Sequence, residues 1–298
     1  MVNDKGISVL EDYDLQVLRT YKGRGALICE TDRGVKIVRE FSGSEKKVQE
    51  QDALLAHLFM QGITKIDYYV KNKEGMIITK DKMNTAYIMK DWYEGPECNT
   101  KSKTEILSAV RNLALLHAAM SCPPVSAITS KMRIHSIKEE FIRHTRELKK
   151  IKNYIRERSR KTEFEIYFLK NFELFFSQSI KALQESEEWD EAGFLEDVLK
   201  SGQFCHGEYT QHNLIMGKEG IATINFEKAQ ADTRMKDLYQ FLRKVMEKNE
   251  WNRELGLSML EQYEKTAPIA KNEYKSLYYR LAYPEKFWKT ANYYYNTN

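Results

Sequence analysis

Phe204–Lys244 reads FCHGEYTQHNLIMGKEGIATINFEKAQADTRMKDLYQFLRK and carries more chemistry per residue than the rest of the chain. His206-Gly207-Glu208 comes first, with Asn213 five residues after the acid. A turn at Gly217–Gly220 and an apolar strand lead to Asn225-Phe226-Glu227, and Asp237-Leu238 then opens a helix. Acids and amides thus sit on two loops joined by a hairpin, ahead of an amphipathic helix.

Upstream, the first 90 residues read as strands around one helix. Asp14–Tyr21 and Ala26–Thr31 flank KGRG, with Gly23 and Gly25 at the turn, and Thr31-Asp32-Arg33-Gly34 precedes the alternating strand Val35–Phe41. Ser44 and Glu45 open a helix in which Val48, Leu54, Leu55, Leu58 and Phe59 recur at helical spacing, and Gly62 stops it. Further strands are expected at Ile66–Val70, Gly75–Thr79 and Thr85–Tyr93. Beyond Trp92-Tyr93-Glu94-Gly95-Pro96 the pattern turns helical, with an amphipathic segment from Thr104 to His117, a break at Cys122-Pro123-Pro124, and a long helical region from about Ile134 to Glu188. The expected division is a strand-rich small lobe, 1–91, and a helical large lobe, 92–298.

Composition narrows the classes. The 298 residues are 42% hydrophobic and 30% charged, with 14 Gly and 5 Pro, which excludes collagenous and wholly disordered chains. No run approaches the ~18–20 apolar residues that cross a bilayer, and the start MVNDKGISVLEDYD lacks the marks of a signal peptide. Cysteines at 29, 98, 122 and 205 are too scattered for a zinc or CxxC motif, so synthesis in a reducing cytoplasm is expected. The net charge of +4 is uneven: residues 131–161 hold 12 Lys or Arg and 4 Glu, a local +8 against −4 elsewhere. A basic helical segment at about 131–190 could meet nucleic acid or an anionic surface, although a solvated helix face is the commoner meaning of such a run.

The order acid, Asn, second acid, helix is the layout of a phosphotransferase: one acid contacts the acceptor hydroxyl, an Asn holds metal, and a second acid bridges Mg²⁺ to phosphates. The chain resembles the aminoglycoside phosphotransferase and choline kinase branch of the protein-kinase-like fold, whose signature is HGDxxxxN followed by IDF or IDW. Within that branch it is most similar to the CotS-type spore-coat family. The resemblance runs over KGRGALICETDRGVKIVREF, YIMKDWYEGPEC, LALLHAAM, CHGEYTQHNLI, NFE, DLYQFLRK and YPEKFWKTANYYYN. It implies an α+β, bilobal fold with a small antiparallel-sheet lobe and a larger, mainly helical lobe.

By resemblance, the small-lobe lysine falls on Arg39, with Lys36 on the opposite face by strand alternation. The helix acid that steadies this cation is Glu50, with Gln51 equally placed. Glu208 stands at the catalytic aspartate, and its extra methylene displaces the carboxylate by about 1 Å, a shift that costs roughly 100-fold. Asn225 replaces the Mg²⁺ aspartate with a neutral amide. Asn213 is retained as a metal ligand, and Glu227 shares a face with residue 225 if the segment is extended, so it could compensate. Asp237 would brace the catalytic loop or simply cap its helix; His206 would orient the loop, with a general-base role as the lesser alternative. Met89, Asp91 and Trp92 lie on the hinge whose backbone would meet an adenine ring, or else are ordinary packing between the lobes.

Three functions follow, in order. The first is a spore-coat protein with a degenerate phosphotransferase site, a pseudokinase that holds ATP and Mg²⁺ weakly or not at all and acts by binding coat proteins. The second is an active ATP-dependent small-molecule kinase with a small-molecule or nucleotide ligand in the interlobe cleft. The third is nucleic-acid binding through the basic segment. Synthesis in the mother-cell cytoplasm followed by deposition in the coat is the expected itinerary. Nine aromatics between Tyr274 and Tyr295 add an interaction surface, with Tyr293–Tyr295 expected to be exposed and removable by truncation after Thr290 without loss of fold.

Overall fold

A computed structural model describes residues 6–123 and 134–296. The chain divides into two compact units, Met1–Met132 with Gly202–Pro268, and Arg133–Ser201 with Ile269–Asn298.

The first unit begins with a single 3-10 turn, Ile7–Asp12, and an antiparallel sheet. Its strands are β1 (Val17–Gly23), β2 (Ala26–Thr31), β3 (Gly34–Glu40), β4 (Tyr69–Val70), β5 (Ile78–Lys80) and β6 (Ala86–Asp91). They run in the order β1-β2-β3-β6-β4, with β5 also paired to β6. The β1–β2 connection is two residues long, and both of them, Arg24 at φ 51 and Gly25 at φ 70, are left-handed. That is the turn whose twist matches the strands it joins. Gly34 (φ 84) closes the next turn, where the Thr31 hydroxyl donates to the Gly34 carbonyl at 2.6 Å.

Helix α1 (Glu45–Met60) buries Val48, Gln51, Leu54, Leu55 and Leu58. Gly62, at φ 84, ends it, with Ile63 N donating back to Leu58 O at 2.9 Å. Phe59 departs from the expected apolar stripe: it is 54% exposed and meets only the edge of Tyr68, with ring centroids 5.7 Å apart. The remaining elements of this unit are α2 (Lys103–Met120), β7 (Phe204–Cys205), the hairpin β8 (Leu214–Gly217) and β9 (Gly220–Thr223), β10 (Gln230–Ala231), α6 (Met235–Lys248) and α7 (Arg253–Glu264). Backbone bonds tie the hairpin to the segments flanking the sheet. Thr223 N donates to Lys65 O at 3.0 Å, Met216 N to Pro96 O at 2.8 Å, and Cys98 N to Leu214 O at 3.0 Å.

The second unit comprises α3 (Ile137–Glu157), α4 (Glu163–Glu187), α5 (Glu191–Lys200), α8 (Lys271–Ala282) and α9 (Glu285–Asn296). The long helical region expected from sequence is therefore interrupted at residues 158–162. A capping box restarts the chain there: Glu165 N donates to the Thr162 hydroxyl and Thr162 N to the Glu165 carboxylate. Glu165 is fully buried at the start of α4 and also accepts from Tyr295 at 2.9 Å, with Arg158 at 3.4 Å. Part of the basic segment is thus neutralised internally, and Lys152 pairs with Glu173 at 2.5 Å. Residues 131–133 of that segment lie outside the described residues.

The terminal aromatics correct one expectation. Tyr293 is 71% exposed, but Tyr294 stacks on Phe164 at 4.1 Å and Tyr295 meets Tyr154 edge-on as well as bonding Glu165. Cutting after Thr290 would strip these contacts from α3 and α4, so it tests packing together with assembly. Among the described residues no helix is long and apolar enough to cross a membrane.

Candidate functional site

The glycine of His206-Gly207 has a local cause. Gly207 has φ 80, and a Cβ there would lie 2.1 Å from the Lys228 carbonyl oxygen, so a side chain would force the two loops apart. Both backbone N–H groups of the turn are held by one carboxylate. His206 N donates to Asp237 Oδ2 at 2.6 Å and Gly207 N to Asp237 Oδ1 at 2.9 Å. Asp237 is fully buried in the first turn of α6, while the cap position itself is Arg234. His117 from α2 completes the cradle: its Nε2–H donates to Asp237 at 3.1 Å, as a carboxylate partner requires, and in that neutral tautomer its Nδ1 accepts from the Tyr263 hydroxyl at 2.7 Å. Burial alone would raise the Asp237 pKa, but the hydrogen bond from His117 and the backbone donors around it hold it below the ordinary carboxylate value.

His206 is also fully buried. Its Nδ1 accepts from Glu208 N at 3.2 Å and its Nε2–H donates to Ile224 O at 3.1 Å, which stitches the first loop to the strand leading into the second. Both ring nitrogens are engaged, and burial pushes its pKa down, toward the neutral form these bonds need. Glu208 itself projects outward. Its carboxylate is 43% exposed and accepts from Lys228 at 2.8 Å.

Asn213 lies between the loops. Its Nδ2 donates to Glu208 O at 2.8 Å, and its Oδ1 accepts from Asn225 Nδ2 at 2.8 Å. Asn225 is left-handed (φ 67, ψ 63), and a 3-10 turn, Phe226–Lys228, follows immediately. The extended geometry expected for 225–227 is therefore not adopted, and Glu227 does not line up beside Asn225. It accepts instead from Lys90 at 2.7 Å.

The sheet contributes two cations. Register pairs Ile37 with Lys90 and Arg39 with Ile88, so Arg39 and Lys90 share the face turned to the loops. Arg39 Nη1 approaches Asn225 Oδ1 at 3.4 Å. Lys36, on the other face, bonds Asp91 at 2.5 Å, and the Met89 side chain is fully buried there with Val9, Tyr13 and Val38. The side chains of Met89 and Asp91 thus point away from the loops; only Trp92 among the expected hinge residues turns toward them. Neither expected helix partner pairs with Arg39. The Glu50 Oε1 atom and the Arg39 Nε atom are both buried without a partner, whereas Gln51 donates to Phe226 O at 3.2 Å and accepts from Tyr69 at 2.5 Å.

Lys90, absent from the sequence-based candidates, forms the buried hub. It is 5% exposed and bonds Asp67 at 3.0 Å as well as Glu227, with its ammonium 4.6 Å from the Tyr69 ring centroid. Asp67 also accepts from Asn225 N at 3.0 Å. Burial opposes the charge on Lys90, but the two carboxylates outweigh it and hold the ammonium above its ordinary pKa. Burial likewise opposes ionisation of Glu227, yet Lys90 keeps that carboxyl below its usual range, while the more deeply buried Asp67 is left raised. A lysine inside a buried strand always demands such partners, which is the signal that could have found it in YIMKDW.

These residues do not fit a resident Mg²⁺. The oxygens nearest that place already have partners: Asn213 Oδ1 accepts from Asn225, Glu227 Oε1 from Lys90, and Arg39 Nη1 stands 3.4 Å from Asn225 Oδ1. Magnesium needs near-octahedral, largely anionic oxygen ligands, and among the described residues no three His, Cys, Asp or Glu side chains cluster to hold a metal.

An antiparallel sheet facing an HGE loop, a hairpin and an acid-braced helix make up a kinase-like fold. Solved structures agree on that fold. An aminoglycoside phosphotransferase from Alicyclobacillus acidocaldarius matches at TM-score 0.84 and 20% identity, over 96% of this chain and 84% of that one. Spectinomycin phosphotransferase APH(9)-Ia, solved with ADP and spectinomycin, matches at 0.68 and 14%, over 96% and 84%. Choline kinase from Cryptosporidium parvum matches at 0.52 and 13%, over 93% and 83%. The chain belongs to the family described as spore coat putative kinase YutH, whose model matches residues 7–298.

Proposed function

We propose that this chain is a coat component whose kinase-like site has lost most or all phosphoryl transfer and which works by binding other coat proteins. The observation that supports this is the closed network Arg39–Asn225–Asn213 beside Lys90–Glu227, in which the groups that would hold metal are bonded to each other and to two cations. Phosphoryl transfer rests on positioning and charge stabilisation, and here Arg39, Glu208 and Asn225 alter three parts that act on one transition state. Asp237 and His206 keep the loop in place, a role that needs no substrate. Synthesis in the mother cell precedes deposition in the coat.

The test is a melting-temperature titration with ATP, with and without Mg²⁺, followed by a turnover assay. The expected result is no Mg²⁺-dependent stabilisation and turnover at background; Mg²⁺-dependent stabilisation with sustained turnover would overturn the proposal. The triple variant Arg39→Lys, Glu208→Asp, Asn225→Asp should gain Mg²⁺ affinity, read as thermal stabilisation by Mg²⁺ that the wild type lacks.

A second reading, a weak ATP-dependent small-molecule kinase, draws on two features. The Glu208 carboxylate is half exposed, and Arg39 Nε is a buried donor without a protein partner. That kinase would have to work with the neutral Asn225 and with Glu227 tied to Lys90.

A further inference from the structure

The alternation that turns Arg39 and Lys90 toward the loops does the same for Trp92, which follows β6 and donates from its backbone N to Val35 O at 2.9 Å. The Trp92 residue is 9% exposed, although it belongs to a connecting segment. It packs in one apolar cluster with Ile28, Ile37, Ile215, Ala222 and Ile224, which come from β2, β3, the β8–β9 hairpin and the residue just before Asn225. Two guanidinium groups flank the indole. Arg24 Cζ lies 5.4 Å from its centroid and Arg39 Cζ 6.0 Å. Arg24 stands at the tip of the β1–β2 hairpin, and it is anchored there: it bonds Glu97 at 3.0 Å and approaches the His212 carbonyl at 3.5 Å, while Glu97 also bonds His212 at 2.6 Å.

This arrangement has the chemistry of a site for a flat aromatic ring with a charged tail. The walls are aliphatic, two guanidinium carbons lie 5.4 and 6.0 Å from the ring centroid, and Ile224 of the wall leads directly into Asn225. We propose that Trp92 is the chain's own occupant of that site: its indole fills the slot that a purine would need and excludes a nucleobase. The proposal rests on the functional reading that this face of the sheet is the nucleotide site. It differs in its cause, since the network around Asn225 concerns metal and phosphate, and Trp92 concerns the base. Cation–π contact and apolar burial hold the indole there without any tail.

Adenosine tests the slot separately, because it carries no phosphate and needs no metal. Wild-type protein should show no thermal shift with millimolar adenosine. Trp92→Ala should melt lower than wild type and be stabilised by adenosine or by indole, with adenosine affinity at least tenfold above wild type. Trp92→Leu, which keeps apolar volume and threatens folding less, should show a smaller gain in the same direction. Adenosine binding to wild type as tight as to Trp92→Ala would overturn the proposal. So would folded Ala or Leu variants with no gain. The emission lost on Trp92→Phe should be blue-shifted and poorly quenched by acrylamide; a red-shifted, readily quenched component would also overturn it. Mg²⁺–ATP turnover by wild type would refute both proposals, whereas adenosine binding by wild type without turnover would refute the role of Trp92 alone.

Discussion

Two polar clusters meet at the His206–Glu227 loops, and they differ in what they satisfy. The cradle around Asp237 satisfies backbone donors: His206 N, Gly207 N and His117 converge on one carboxylate, and every partner is neutral or complementary. The cluster around Asn225 satisfies side chains with other side chains: Arg39, Asn213, Lys90, Asp67 and Glu227 close on themselves. A carboxylate that braces backbone is required by the fold whether or not chemistry occurs. A carboxylate that braces a metal is required only while the metal is used, and position 225 holds an amide.

The sharpest way to break this contrast is Asp237→Ala. It strands two backbone donors and a histidine in the interior, so a loss of about 3–5 kcal/mol is expected in urea unfolding; a loss below about 1 kcal/mol would mean the cradle is ornamental. Lys90→Met comes next, since it leaves Asp67 and Glu227 facing each other unpaired, at a cost of about 3 kcal/mol. Adding Asp67→Asn and Glu227→Gln should recover much of that loss, which a cycle of unfolding midpoints would read.

Acid separates the buried groups by sign. The folded pKa of His206 is depressed, so its contribution is whole above the unfolded value near 6.5 and shrinks as pH falls below it. Asp237, also depressed, loses its contribution once pH falls below about 3.9. Asp67 is raised, so its protonation on acidification favours the folded state and opposes that trend. Unfolding midpoints between pH 7.5 and 5 should decline in wild type and decline less in His206→Gln, whereas an unchanged slope would mean that His206 does not drive the decline. The smallest effect belongs to Lys228→Ala: its pair with Glu208 is solvent-exposed, and under about 1 kcal/mol is at stake.

Much of this was legible in the chain. Gly25 and Gly34 announced the first two turns because only a left-handed backbone closes them so tightly, and the resemblance of CHGEYTQHNLI, NFE and DLYQFLRK, with the motifs around them, to the phosphotransferase family implied the kinase-like fold. Lys90 could be read as a buried lysine in need of partners, but the partners themselves were not legible, since they lie 23 and 137 residues away. Glu227 was misplaced because alternation was extended through a segment that turns at Asn225. The interruption at 158–162 had a local signal, Thr162 with Glu165 three residues on, which the long run of helix formers masked.

The left-handed backbone at Asn225 limits which residues this position accepts. Asparagine and aspartate are the non-glycine residues that best tolerate that conformation. Exchange of one for the other alters charge while sparing the shape of the turn. Glutamate or a β-branched residue would have strained the loop and the strand bonded to it. Selection relaxed for chemistry but maintained for architecture would therefore admit the amide first, and a lineage could cross this step in either direction without passing through an unfolded intermediate.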